Sequence, residues 1–155
     1  MKTGNRLWIF VLIVVFLLSS CAPPDTQGME VRDAWARPAA RGGNGAVYFV
    51  IRSSAADEIV GVMSDVAEAV EMHESKMSGD VMEMHQLESV TLPAGEDVTF
   101  EPGGLHIMLI GLKRELKLGD VFEITFRFKN HEDLKVSVAV QDTPASDKNH
   151  LANNH

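Results

Sequence analysis

The stretch VFEITFRFKNHEDLKVSVAV (121–140) alternates apolar and polar side chains through two runs, interrupted once by the polar cluster KNHED (129–133). Alternation with a period of two marks a strand with one buried face, and such a polar cluster marks the turn between two of them. The same reading extends back along the chain. AVYFVIRS (46–53) is rich in β-formers, and EIVGVMS follows the polar break SAADE. AVEMHE, VTLPA, VTFEP and GLHIMLIGL continue the series. SGD (78–80), PAGED (93–97), PGG (102–104) and KLGD (117–120) separate these runs as turns. Short strands at this spacing predict an all-β domain, an antiparallel β-sandwich or barrel. One segment is expected to depart from the pattern, since DVAEAVEMHE (65–74) suits a single helical turn. Trp35, Tyr48, Phe100, Phe122 and Phe126 are expected in the core, with Met63 and Met72 as packing.

The N-terminus sets the compartment. Lys2 and Arg6 precede an unbroken apolar run, Leu7 to Leu18, which is too short for a bilayer span but suits a secretory signal. Leu18-Ser19-Ser20-Cys21 resembles the bacterial lipobox, which predicts lipidation at Cys21, the chain's single cysteine. The expected organisation is a signal peptide (1–20), a lipidated cysteine with the tether APPDTQG (21–28), one domain (29–140) and a loose tail (141–155). Such a protein is extracytoplasmic, in the periplasm or at the cell surface, and held to a membrane by its lipid. Loss of Lys2 and Arg6 with the signal takes the formal charge from −8 to −10. That acidity argues against nucleic acid as a partner and is compatible with attracting cations.

A cluster of chemistry-bearing residues stands out at EMHESKMSGDVMEMH (71–85), which holds four of the chain's eight methionines and two of its six histidines. His73 ends one expected strand and Met84 lies in the next, so a hairpin between them can bring the two across from one another. In GLHIMLIGL, His106 and Met108 are two apart and share a strand face. Two imidazoles and two thioethers thus come from two places in the chain. Thioether sulfur is soft and carries no proton, and together with imidazole it favours copper, Cu(I) above all. Zinc sites draw instead on thiolate, imidazole and carboxylate. Met77 and Met82, in or beside the hairpin loop, are auxiliary metal candidates. His85 is a weaker one, because it faces away from Met84 on a regular strand. Met72 alternates away from His73. Glu71, Glu74 and Glu83 are expected to solvate the rim or to add negative potential for a cation.

His73, ten residues, Met84, twenty-one residues, His106, one residue, Met108: this spacing is similar to the signature of the PCu(A)C periplasmic copper chaperones. VRDAWARPA, NGAVYFVI, VEMHES, LPAGEDVTFEPGGLHIMLIGLK and LKLGDVFEITFRF resemble the family's flanking segments, so the likeness runs from Val31 to Val140. The resemblance implies a cupredoxin-like β-sandwich that binds Cu(I) through His73, Met84, His106 and Met108. It further implies delivery toward the binuclear copper site of cytochrome c oxidase, on its copper-bearing subunit, alongside a Sco-type protein. Some family members add a His/Met-rich tail; here the tail carries His150 and His155 and no methionine. Blue-copper electron carriers need a cysteine thiolate, and beyond Cys21 the chain has none. The chain contains no Ser/His/Asp order or HExxH motif, so no enzyme is expected. The alternatives are copper storage or tolerance, or a metal-free adhesion or assembly sandwich.

Overall fold

The computed structural model describes residues 28–143, and among them every regular element is a strand. The expected signal and lipobox, nearly all of the tether, and most of the tail lie outside the described residues. The strands are β1 (Met29–Ala36), β2 (Gly45–Ser53), β3 (Asp57–Met63), β4 (Ala67–Ser78), β5 (Val81–Leu87), β6 (Val90–Leu92), β7 (Asp97–Phe100), β8 (Leu105–Leu112), β9 (Val121–Phe128) and β10 (Leu134–Val140). They form a single sheet in the order β5-β4-β8-β7-β2-β1-β10-β9-β3-β6, with β2 also pairing β8. Pairing is antiparallel except for the short β1–β10 ladder and a single β7–β8 contact.

One core cluster takes Met72 from β4 and Ile107 and Leu109 from β8, together with Ile59 from β3 and Ile124 and Phe126 from β9. These strands stand far apart in the sheet order, so the sheet folds over on itself as a sandwich. Phe49 of β2 marks where the two halves meet, its ring centroid 4.2 Å from Phe100 and 4.9 Å from Phe126. The 121–140 stretch does what its alternation predicts. Phe122, Ile124, Phe126 and Phe128 are buried on one face of β9, and the register with β10 runs unbroken from Val121 to Phe126.

All five aromatic residues expected inside are buried. Trp35 and Tyr48 nevertheless stand apart from the main core. They pack on each other at 4.8 Å on the outer face of β1 and β2, with the Arg37 guanidinium 6.0 Å from the Trp35 ring.

Two expectations need correction. DVAEAVEMHE forms no helical turn; from Ala67 it is strand β4, because pairing with β8 from Ala67 to Glu74 outweighs local helix propensity. Met63 is not core filler but is exposed at the end of β3, its sulfur 4.0 Å from Arg127 Nη2. MEVRDAWA, which alternates poorly, is nevertheless strand β1. Its register with β2 shifts between Arg32 and Trp35, where Asp33 takes a left-handed backbone (φ 52°), and this bulge scrambles the period-two pattern.

Candidate metal centre

Cross-strand register places the four principal candidates on one face. His73 of β4 is the direct partner of His106 of β8, and Glu71 is the partner of Met108. Partners share a face, as do residues two apart on one strand. His73, His106 and Met108 therefore point to the same side, away from Met72 and Ile107, which enter the core. On the other flank Met84 of β5 partners Ser75, and His73 partners Gln86. His73 and Met84, which the hairpin could have brought directly across from one another, are thus offset by two residues along the ladder. The turn occupies only Gly79 and Asp80, with Ser78 paired to Val81, and this fixes the register. His73 becomes the centre of the group: directly opposite His106 and a diagonal neighbour of both Met108 and Met84. Diagonal Cα separations of about 7–8 Å lie within reach of long side chains.

The two imidazoles are held differently. Their ring centroids are 5.8 Å apart, tilted by 42°. His106 is 5 % exposed, and its Nδ1–H donates to the Gly104 carbonyl at 3.0 Å. That tautomer leaves Nε2 with its lone pair. The same carbonyl also accepts from Ser75 N–H at 3.1 Å, so one oxygen orients the histidine and anchors β4. Its position follows from the sequence PGG. Gly104 N–H donates to Glu101 O at 3.1 Å, with Pro102 and Gly103 between them and Gly103 at φ 84°, the arrangement of a type II turn.

His73 uses its other nitrogen. Nε2–H donates to the Glu71 carboxylate at 2.8 Å, which leaves the Nδ1 lone pair facing inward. Nδ1 is buried and has no hydrogen-bond partner among the described residues. A buried acceptor without a partner is disfavoured by about 1–3 kcal/mol, and a metal ion would satisfy it. Glu71 is thus the group that sets the His73 tautomer, a role the sequence reading gave only to general rim charge. The available signal was its position two residues before His73 on the same strand face.

Hard ligands are scarce around this pair. Among the described residues no group of three or more His, Cys, Asp or Glu side chains is placed to hold a metal ion. Glu74 pairs with Lys76 at 2.8 Å and Glu83 with His85 at 3.4 Å, both on the reverse face of the β4–β5 hairpin. His85 is therefore separated from the His73 row. Beside Met108 opens a hollow of about 240 Å³ walled by Ala46, Tyr48 and Arg37. Burial pushes the Tyr48 phenol up, against an opposing pull from Arg37, so it stays protonated and offers no phenolate. Further sulfur is nearby: Met77 and Met82 are direct partners and lie, like Met84, on the His73 face. The donors that remain are two imidazole nitrogens and a row of thioethers.

Comparison with known proteins agrees with this architecture. The Cu(I) form of DR1885 from Deinococcus radiodurans superposes with a TM-score of 0.56 at 28 % identity, over 76 % of this chain and 83 % of that one. The copper-bound PCuAC domain from PmoF2 gives a TM-score of 0.64 at 23 % identity, over 75 % and 94 %, a likeness of fold. The cupredoxin-like β-sandwich expected from sequence is the fold found. A protein of Leifsonia xyli subsp. xyli (strain CTCB07) named "Putative lipoprotein Lxx21020" is 32 % identical over 140 residues, covering 88 % of this chain and 84 % of its own. The family described as "Putative lipoprotein LpqE-like" matches residues 29–140, and the chain belongs to this LpqE-like family.

Proposed function

We propose that this protein is an extracytoplasmic copper chaperone that carries one Cu(I) on His73, Met84, His106 and Met108. The observation that carries the reading is the buried, unpartnered Nδ1 of His73 beside a second imidazole whose tautomer leaves Nε2 open. The donor set around it lacks thiolate and clustered carboxylate, so it favours a soft ion over zinc or calcium. The Cu(I) state of DR1885 supports copper as the ion. Copper is cargo here, bound and released without change of oxidation state. The lipoprotein names of the family and of its Leifsonia relative support attachment through Cys21 to a membrane, on its extracytoplasmic side. The acceptor in this reading is the binuclear copper site of cytochrome c oxidase, reached directly or through a Sco-type protein.

Anaerobic titration with Cu(I), in competition with zinc, tests the first part. One equivalent of Cu(I) should bind far more tightly than zinc, and zinc binding of equal strength would overturn the assignment. Transfer of that copper to the isolated copper-bearing domain of the oxidase tests the second. An acceptor that stays empty while a chelator of equal affinity fills would redirect the reading to storage or tolerance.

A further inference from the structure

The β4–β5 hairpin runs past the end of its neighbour. β8 pairs with β4 only as far as Leu105, opposite Glu74, so Ser75–Ser78 and Val81–Met84 form a two-stranded arm supported on one side at its base. Among the described residues β5 is the last strand of the sheet and pairs only with β4. The arm's two faces differ in kind. The reverse face carries Lys76 paired with Glu74 and His85 in contact with Glu83. The face shared with His73 carries Met77, Met82 and Met84, which are 62 %, 60 % and 52 % exposed. A solvated ribbon would ordinarily place charge on both sides. Here one side is given over to thioether sulfur.

Register brings these sulfurs close. Ser78 and Val81 flank a two-residue turn with Gly79 at φ 63°, so they are the hydrogen-bonded pair closest to the turn. Alternation then makes Met77–Met82 a non-hydrogen-bonded pair, the type with side chains nearest, about 4.5 Å between Cα atoms. Met84 follows on the same face, diagonal to Met77. Three soft, proton-free donors thus stand as neighbours on one face of the arm, with no imidazole or carboxylate among them. Met84 is shared, since it is also a diagonal neighbour of His73.

We propose that Met77, Met82 and Met84 form an outer, all-thioether Cu(I) site that loads and unloads the inner one. The proposal rests on the reading that this chain carries Cu(I). Copper passes by ligand exchange: the ion leaves the two imidazoles and Met108 while Met84 keeps hold of it, and Met77 and Met82 complete the new set. No electron moves, and the ion stays Cu(I).

The test uses the full chain in detergent with 13C-methyl methionine, titrated anaerobically with Cu(I) and followed by NMR. The first equivalent should shift the His73 and His106 rings and the Met84 and Met108 methyls. The second should shift Met77 and Met82 and move Met84 again. The double variant Met77→Leu/Met82→Leu conserves apolar volume. It should bind one equivalent of Cu(I) instead of two and release it to a small chelator several-fold more slowly. Met77 and Met82 methyls that stay still through excess Cu(I) would overturn the outer site and leave the inner reading intact. A first equivalent that moves Met77, Met82 and Met84 but neither histidine would uphold the outer site and overturn the inner one. If the double variant slows transfer to a protein acceptor but not to a chelator, the arm is a docking surface and the proposal fails.

Discussion

His73→Leu separates the binding role of this residue from its role in folding. Two opposing quantities decide its effect on the metal-free protein. Loss of the Nε2–Glu71 bond removes at most about 1.5 kcal/mol, because Glu71 is 29 % exposed and can rehydrate. Loss of the buried, unpartnered Nδ1 returns about 1–3 kcal/mol. The metal-free variant should therefore match the parent within about 1 kcal/mol, where most substitutions at so enclosed a site destabilise. His106→Leu lacks that offset, since its Nδ1 is satisfied by Gly104, and should be destabilised by about 1 kcal/mol.

Copper should separate the variant from the parent. With free Cu(I) held a thousandfold above its dissociation constant, binding stabilises the parent by about 4 kcal/mol. At about 4 °C per kcal/mol for a domain of this size, the melting temperature should rise by about 15 °C. His73→Leu should show almost none of that rise. Differential scanning calorimetry with and without a Cu(I) buffer measures both numbers. A metal-free His73→Leu protein destabilised by more than about 2 kcal/mol would refute the argument, because Nδ1 would then have to be satisfied in the folded state. So would a full copper-induced rise in the variant.

Other expectations follow from different parts of the molecule. Asp57 is fully buried and accepts from the backbone N–H of Glu58 at 2.8 Å, from Asn130 N–H and Nδ2 at 3.0 Å each, and from His131 Nδ1. Asp57→Ala should cost about 3 kcal/mol in urea unfolding by orphaning these donors. Burial pushes the Asp57 carboxyl up, but its bonds to His131 and to the Glu58 and Asn130 amides hold it below the usual carboxylate range. Its contribution is therefore complete above about pH 4 and lost as the pH falls through the lowered value, so acidification should destabilise the parent more steeply than Asp57→Asn. Met84→Leu/Met108→Leu should fold normally yet bind Cu(I) more weakly in chelator competition, and undiminished affinity would reduce both to packing. Cys21→Ser should move the protein out of the membrane fraction, and its retention there would point to an uncleaved signal.

Much of this architecture is legible in the sequence because strand patterning is local. The alternation in 121–140 specifies which residues of β9 face inward. The same rule puts His106 with Met108, separates His85 from Met84 and sends Met72 into the core. What escapes the sequence is set by partners distant in the chain. The bulge at Asp33 disguises β1. The β8 ladder converts DVAEAVEMHE from a plausible helical turn to a strand. Hairpin register depends on which two residues of SKMSGDV make the turn. Placing it at Gly79–Asp80 moves Met84 from opposite His73 to opposite Ser75, and it also aligns Met77 with Met82. Hydrogen bonds to the imidazoles are likewise invisible until Glu71 and Gly104 are in place.

The two halves of the candidate site differ in rigidity, and that difference bears on function. His106 is buried, and its tautomer is fixed by a carbonyl that also ties down β4; His73 is held by Glu71. These donors are preorganised, so little ordering entropy opposes capture of an ion there. Met84 instead stands half-exposed on an edge strand with one neighbour. Its thioether arm has several rotatable bonds and a small barrier to swinging away. A site made only of the first kind would hold copper and release it slowly, whereas one made only of the second would capture it poorly. In the proposed site, joining a rigid imidazole pair to a flexible methionine on an open arm should combine capture of the ion with a ligand that can leave first. A carrier that must surrender its cargo intact needs that combination.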